Sequence, residues 1–553
     1  MKKNITYLAV VILLAILIGV FIRQSYPRSD FVAPATEAVV SVATKTEPAM
    51  SEPTASQTTA YPGYNFPLSA DQIDWEDREI FKSGLVPGSQ SVLNQLPLAS
   101  TYYISIEIPE DLISEIKGHL IVRYSNAEDV NLDMVYFRLF PNFQGGILTI
   151  SNLTLDGEVS STTLESFDPR VEDNPQPTTL RVDLVNELQP GESVNIELDF
   201  SLEVPTEMGG HYGLYGYFED VLVLDTFYPM IPAYDEKDGW YSGFPQPNGD
   251  HTYNDTSFYI VQVKAPADLV MASSGVVVDS QENGGTQEVV YAAGPARDFY
   301  LAGSREFVEL EETTGDLTIR VLAREEYKLH QGLALKYVKD SIEILSDRIG
   351  DYPYTEFEVT SAPMRALGIE YPGITSITVD EFVEGGEMYG SPTEVYLEST
   401  TVHEVGHAWF YNTVGNDQQN EPWLDEALAQ YFTYIYYLDN YGNADGYVNS
   451  WYGRWNRVDN ADIPIGMPAG AYYDFETEIN SYGAIVYGRG PIFFLELEKS
   501  LGLDTVLTAI QNYYQDNLWG VGQPDEMLAA LKMPASVTWM IFGMNGFMES
   551  KTQ

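Results

Sequence analysis

Apolar and polar positions follow different periods in different parts of the chain. Between Thr101 and about Phe307, the segments TYYISIEI, HLIVRYS, MVYFRLF, LTISNLTL, SVNIELDFSLEV, SFYIVQVKA, EVVYAAG and FYLAGS alternate or run with aromatic and β-branched residues, between Gly, Asn, Asp and Pro turns. That pattern predicts an all-β, sandwich-like domain over 101–307. A further short strand, LTIRVLA, leads to LHQGLALKYVKDSIEILSDRIG from Leu329 to Gly350, where apolar residues recur at helical spacing. FEVTSAPM and ITSITVDEFV read as strands joined by a close turn through Leu367 to Gly373. Past Ser391 the helical period dominates, with VNSWYGRW, VYGRGPIFFLELEKSLG, LDTVLTAIQNYYQDNLW and PDEMLAALKM as later helices. The element order predicts a multidomain chain: an N-terminal all-β domain, then an α+β domain over 308–546 and a short tail, 547–553.

The first hundred residues carry a different signal. Lys2 and Lys3 precede an apolar run from Ile5 to Ile22, broken only by Thr6 and Gly19 and followed by Arg23, which reads as a signal anchor or signal peptide over 1–28. No small-x-small site follows at once. The expectation is therefore an uncleaved anchor with the bulk of the chain outside the cell, the alternative being secretion after cleavage near Ala33 to Ala38. Residues 29–63, rich in Ala, Thr, Ser, Pro and Glu, hold too few large apolar groups to bury and read as a disordered tether. Residues 64–100 mix aromatics and charges as a short helical lead-in. The Pro-, Gly- and aromatic-rich stretch from Asp225 to Asn254 reads as a long loop that packs on the body.

Composition narrows the chemistry. The 553 residues include 29 Lys plus Arg against 81 Asp plus Glu, a formal charge of -52, which repels nucleic acid and anionic surfaces. The acidity either hydrates the surface in an external setting or draws cationic substrates to an acidic cleft. Cysteine is absent, so disulfides, thiolate metal sites and a cysteine nucleophile are excluded, and any bound metal must use His, Asp or Glu.

One segment has the residue types and spacing of such a site. Ser391, Pro392 and Glu394 have the character of a helix start ahead of VYLESTTVHEVGHAWFYN, with Ser391 as cap. On that helix His403 and His407, four apart, lie one above the other, and Glu404 lies about 100° around. Two imidazoles can hold zinc while the neighbouring carboxylate takes a proton from attacking water. With only 6 histidines in the chain, this arrangement is not expected by accident. A second helix, EPWLDEALAQYFTYIYYLD from Glu421, returns Glu426 as a third ligand, nineteen positions after His407. Its neighbour Asp425 reads as a surface acid or as a carboxylate orienting a histidine. Three protein ligands for one Zn2+ leave a fourth position open, the form of a catalytic centre. The aromatics from Tyr431 to Tyr437 read as core.

HEVGH at His403 to His407, the eighteen residues from there to Glu426, and WLDEALAQY at Trp423 to Tyr431 together resemble the M1 family of zinc metallopeptidases, the gluzincin group that includes aminopeptidase N and leukotriene A4 hydrolase. GHLIVRY and VYFRLFPN resemble the family's opening strands. The resemblance implies a thermolysin-like catalytic domain within about Thr101 to Gly546, without the family's large C-terminal helical domain. It also implies two further roles. Glu370, in Leu367 to Tyr371, stands where the family holds the substrate's free amine, although four of the five residues of the family's Gly-Ala-Met-Glu-Asn differ. Tyr487, in VYGRG, resembles the family tyrosine that donates to the oxyanion, and Arg489 beside it reads as a brace for that turn, a contact to a substrate carboxylate, or a surface ion pair. The implied activity is stepwise removal of N-terminal residues from peptides. An endopeptidase or oligopeptidase using the same site, and an inactive tethered binding protein, are the alternatives.

Overall fold

The computed structural model describes residues 70–532 apart from 168–175, 210, 236–238, 244–247, 459–462, 475–476 and 478. The anchor over 1–28, the tether over 29–63 and the tail over 547–553 lie outside the described residues. No helix among the described residues is long and apolar enough to cross a membrane.

The strand-rich region is built on an eight-stranded sheet in the order Val276–Asn283, Thr286–Ala296, Ser257–Pro266, Thr101–Glu107, Ile116–Ser125, Ser193–Glu203, Ile147–Leu155 and Glu158–Val159. All neighbours pair antiparallel except Thr101–Glu107 with Ser257–Pro266. Both faces of its central strands are covered, which is why TYYISIEI runs apolar without strict alternation. Tyr102, Ile104 and Val122 face a core shared with Val135, Phe137, Leu180 and Val182 of a three-stranded sheet. Tyr103, Ile121 and Phe258 face the opposite way and join the core of the helical region. Four of the strands in these sheets, Glu158–Val159, Thr162–Phe167, Pro177–Leu188 and Val276–Asn283, have no counterpart among the segments picked out by pattern. The lead-in forms three short 3-10 turns between Ala70 and Asn94, and Ile80 and Phe81 seal the second face.

Strand Phe307–Thr314 opens a five-stranded sheet, in the order Phe307–Thr314, Leu317–Arg324, Glu356–Ala362, Ile374–Thr378, Gly368–Tyr371. Its two inner pairings are parallel. The first of these needs a crossover, which helix α1 (Lys328–Arg348) supplies. Gly368–Tyr371 is left as an antiparallel edge beside the helices. Those helices are α2 (Thr393–Gly406), α3 (Glu426–Tyr441), α4 (Asp445–Trp455), α5 (Gly490–Leu501), α6 (Leu503–Asp516) and α7 (Pro524–Leu531). Trp409, Trp423 and Trp451 are fully buried in the core they share, together with Tyr431, Phe432, Tyr434 and Ile435.

Two helix starts differ from the pattern. Ser391 and Pro392 pair with Glu387 and Met388 in a short ladder, so Ser391 caps nothing, and α2 begins at Thr393, whose hydroxyl donates to the Val383 carbonyl at 2.7 Å. α2 also stops at Gly406, and the following residues turn instead of continuing to Asn412. α3 begins at Glu426, not Glu421, because residues 422–425 form a turn that ends in the Asp425 cap.

Candidate metal and catalytic site

The C-terminal turn of α2 and the first residue of α3 meet in the floor of a cleft of about 560 Å³. His403 Nε2 lies 3.1 Å from Glu426 Oε2 and 3.3 Å from His407 Nε2, and His407 Nε2 lies 3.6 Å from Glu426 Oε2. A tetrahedral ion with bonds of about 2.0–2.1 Å needs its donors about 3.3–3.4 Å apart, so the three atoms fit zinc and leave its fourth position toward the cleft. His407 Nδ1 donates to the Phe410 carbonyl at 3.1 Å, which leaves Nε2 as the free donor atom. The charge balance also asks for a cation. Glu370, Glu404, Asp425 and Glu426 are buried here, with Asp250 half-buried beside them, against two histidines.

A second cluster, Glu370, Glu404 and His407, also brings donor atoms within 4.8 Å of one another. Its approach to Glu370 is through His407 Nδ1, at 4.0 Å, the nitrogen already used on Phe410. The His403, His407, Glu426 set is therefore the better zinc site.

His403 is oriented by Gln430, one turn into α3. The amide lies 3.2 Å from His403 Nδ1, while Gln430 Oε1 accepts from the Tyr447 hydroxyl at 2.8 Å, Trp451 Nε1 at 3.2 Å and Arg454 Nη1 at 2.9 Å. Three donors from α4 thus fix the one amide that touches the ligand. Sequence reasoning passed over Gln430, although its i+4 spacing from Glu426 placed it on the same face.

The remaining site residues arrive from elsewhere in the fold. Glu404 packs against the edge strand at Gly368, where a Cβ would come 2.5 Å from Glu404 Oε1, so the glycine makes room for the carboxylate. Burial pushes the Glu404 carboxyl up to about 8, with Glu426 adding to the rise and His407 opposing it. Burial also favours the neutral form of His407, yet Glu370, Glu426 and Glu404 outweigh it and hold its pKa well above the usual range.

Tyr487 sits in a π-helical turn, Ile485–Arg489, and its hydroxyl donates to Glu426 Oε1. The flanking glycines permit that approach: a Cβ on Gly490 would meet Ala427 Cβ at 2.6 Å, and one on Gly488 would meet Trp455 N at 2.9 Å. Burial and Glu426 keep the phenol protonated, well above its ordinary pKa. Arg489 is fully buried, with its guanidinium 5.5 Å from the Trp455 ring and donating to the Ile463 carbonyl. It braces the turn and is not a surface ion pair. Asp425 is a buried cap, accepting from Glu426 N at 2.6 Å, so it is neither a surface acid nor a histidine partner. Burial raises it to about 7.

Glu370 projects from the edge strand and accepts from Gln418 Nε2 at 3.2 Å. The same Gln418 nitrogen lies 3.4 Å from Asp250 Oδ2, so buried Glu370 and half-buried Asp250 share one amide at this end of the cleft. Burial raises both well above the ordinary range, and their neighbouring carboxylates add to the rise. Asp250 lies in the long loop read from sequence as packing only. Its tie to Gln418, 168 residues away, is a long-range contact that no local pattern reveals.

With this geometry in hand, comparison with known proteins gives one consistent answer. Residues 333–548 match the profile of the Peptidase family M1 domain. "Aminopeptidase M1" of Arabidopsis thaliana is 21% identical over 287 residues, 49% of this chain and 32% of that protein. "Aminopeptidase 2" of Candida albicans is 21% identical over 467 residues, 76% of this chain and 46% of that protein. The chain thus spans a third to a half of the length of these curated relatives. Among solved structures, a mutant M1 zinc metallopeptidase from Deinococcus radiodurans superposes with a TM-score of 0.58 at 15% identity, covering 78% of this chain and 90% of the other. A second structure of such a mutant, bound to a Tyr-Ser-Ala substrate, gives 0.56 at 15% identity over 82% of this chain and 93% of the other.

Proposed function

Starting from an M1 zinc-metallopeptidase fold, we propose that this protein is a zinc-dependent peptidase that removes residues one at a time from the N terminus of peptides. The observation that carries the hydrolytic part is the spacing of His403, His407 and Glu426, with Glu404 buried beside them. Zinc held there supplies Lewis-acid polarisation of a carbonyl and brings the pKa of water toward neutrality. The remaining chemistry belongs to side chains. Glu404, its pKa lifted by burial, takes the proton of the attacking water and passes it to the leaving nitrogen. Tyr487 keeps its proton and donates to the developing oxyanion.

The aminopeptidase part is supported by Glu370 and Asp250. Glu370 and Asp250 share one amide, and a protonated α-amine entering there draws these carboxyls toward the ionised form that serves as its counter-charge, so that an amine fixed there presents the first peptide bond to the metal. Membrane attachment, with the catalytic part outside, is supported by the apolar run behind Lys2 and Lys3.

The test is mass-spectrometric product analysis of the zinc-loaded protein on matched free-amine and N-acetyl peptides. Stepwise loss of N-terminal residues from free-amine peptides alone is expected, with Glu370→Ala depressing those substrates far more than blocked ones. Internal cuts in both sets would replace this reading with an endopeptidase, and cleavage of neither would overturn it.

A further inference from the structure

The cleft carries opposite charge at its two ends. At one end Glu370 approaches His407, and Asp250 joins Glu370 through Gln418. The cleft wall also includes Arg454 and Arg457, at the end of α4, and they belong to the opposite end. Arg454 reaches Gln430, which touches His403, and it also donates to the Tyr487 carbonyl at 3.2 Å. Both guanidiniums act on Tyr396, which lines the cleft on α2 seven residues before His403. At 1.5 Å per residue, that is about 10 Å along the helix, on the side of His403 away from His407 and Glu370.

The chain has 81 Asp plus Glu against 29 Lys plus Arg, so two arginines close together on one cleft wall stand out. Among the described residues, neither Arg454 nor Arg457 forms an ion pair. Arg454 uses Nη1 on Gln430 and on the Tyr487 carbonyl. Arg457 is exposed, and its side chain makes no hydrogen bond among the described residues. Arg365, the third arginine on the wall, is engaged at Nη2 by the Met208 carbonyl at 2.7 Å.

We propose that Arg457, assisted by Arg454, binds the C-terminal carboxylate of a short peptide, so that the cleft selects zwitterionic peptides by length. This assignment rests on the aminopeptidase reading for the direction of the peptide, with the amine at Glu370. An extended peptide advances about 3.3 Å per residue, so a carboxylate two or three residues beyond the cleaved bond lies about 7–10 Å past the metal. That matches the rise along α2 from His403 to Tyr396, the cleft residue on which both guanidiniums act. The substrates that bridge both ends are tripeptides and tetrapeptides with free termini. A guanidinium meets a carboxylate with charge-assisted hydrogen bonds, and the same contact is lost when the terminus is amidated.

The test is calorimetric binding to the zinc-loaded Glu404→Gln protein, which separates recognition from turnover. Tri-alanine is expected to bind about tenfold more tightly than tri-alanine amide, the scale of one hydrogen bond to a charged group. Replacing Arg457 by Gln in that background is expected to bring the ratio close to one, Arg457→Lys to keep part of it, and added salt to shrink it. Equal affinities for acid and amide in the parent, or a tenfold ratio that survives Arg457→Gln, would overturn the assignment. Whether the wild-type protein cleaves peptides at all is read separately from product analysis, so failure of the hydrolase reading is distinguishable from failure of this one.

Discussion

The helical wall of the cleft and the wall facing it are held by different forces. On the helical wall, His403 lies in the last turn of α2 and His407, one turn on, caps that helix, Glu426 and Gln430 are one turn apart on α3, and Asp425 fixes the start of α3. Local geometry sets their relative positions. The facing wall brings together Gly368 and Glu370 from an edge strand and Asp250 from a loop 120 residues earlier than Glu370, joined by Gln418. Nothing local holds that arrangement. The metal ligands are therefore expected to tolerate changes elsewhere, while the base and the amine-binding acids depend on packing between walls.

The largest effect belongs to Glu404. Glu404→Gln should lower peptide hydrolysis by about 10²–10⁴-fold while zinc stoichiometry, read by elemental analysis, stays the same. Gly368→Ala attacks the same carboxylate from the facing wall, since the new Cβ would lie 2.5 Å from Glu404 Oε1. A displacement of that kind should cost about 10²-fold in kcat, with a circular dichroism spectrum like the parent's. If Gly368→Ala were silent, the interlocking of the two walls would be wrong. On the helical wall, Gln430→Leu removes the acceptor for Tyr447, Trp451 and Arg454, and should weaken zinc affinity about 10–100-fold in competition with a chelator.

The smallest effect lies behind the facing wall. Asp298 is buried, accepts from the Tyr411 hydroxyl, and is pushed by burial up to about 7. Its folded pKa is above its unfolded value near 3.9, so the folded state binds the extra proton between about pH 4 and 7. The stability this group contributes is fully present below that window and is lost as pH rises through it. Thermal midpoints of wild type and Asp298→Asn should therefore diverge across the window, with the wild type falling relative to the variant as pH rises. Parallel curves would show that Asp298 is already ionised in the folded protein.

The same contrast explains what was legible in the sequence. The metal set was readable because His403, Glu404 and His407 fall within one helical turn and Glu426 opens the next long helix, so their spacing carries the chemistry. The succession of strands and helices was readable from period. The starts of α2 and α3 were not. Ser391 satisfies the residue preference of a cap, yet a tight local hairpin with Glu387 and Met388 claims its backbone. Asp250, Gln418 and Gly368 were invisible for a different reason: each acts through partners far along the chain. Arg489 stayed open between a brace, a substrate contact and a surface ion pair because nothing local showed that Trp455 and the Ile463 carbonyl enclose it.

The most direct test of the central claim is anomalous diffraction at the zinc absorption edge from crystals of the zinc-loaded protein. A single strong peak is predicted between His403 Nε2, His407 Nε2 and Glu426 Oε2. A peak among Glu370, Glu404 and His407 instead, or none in the cleft, would contradict it.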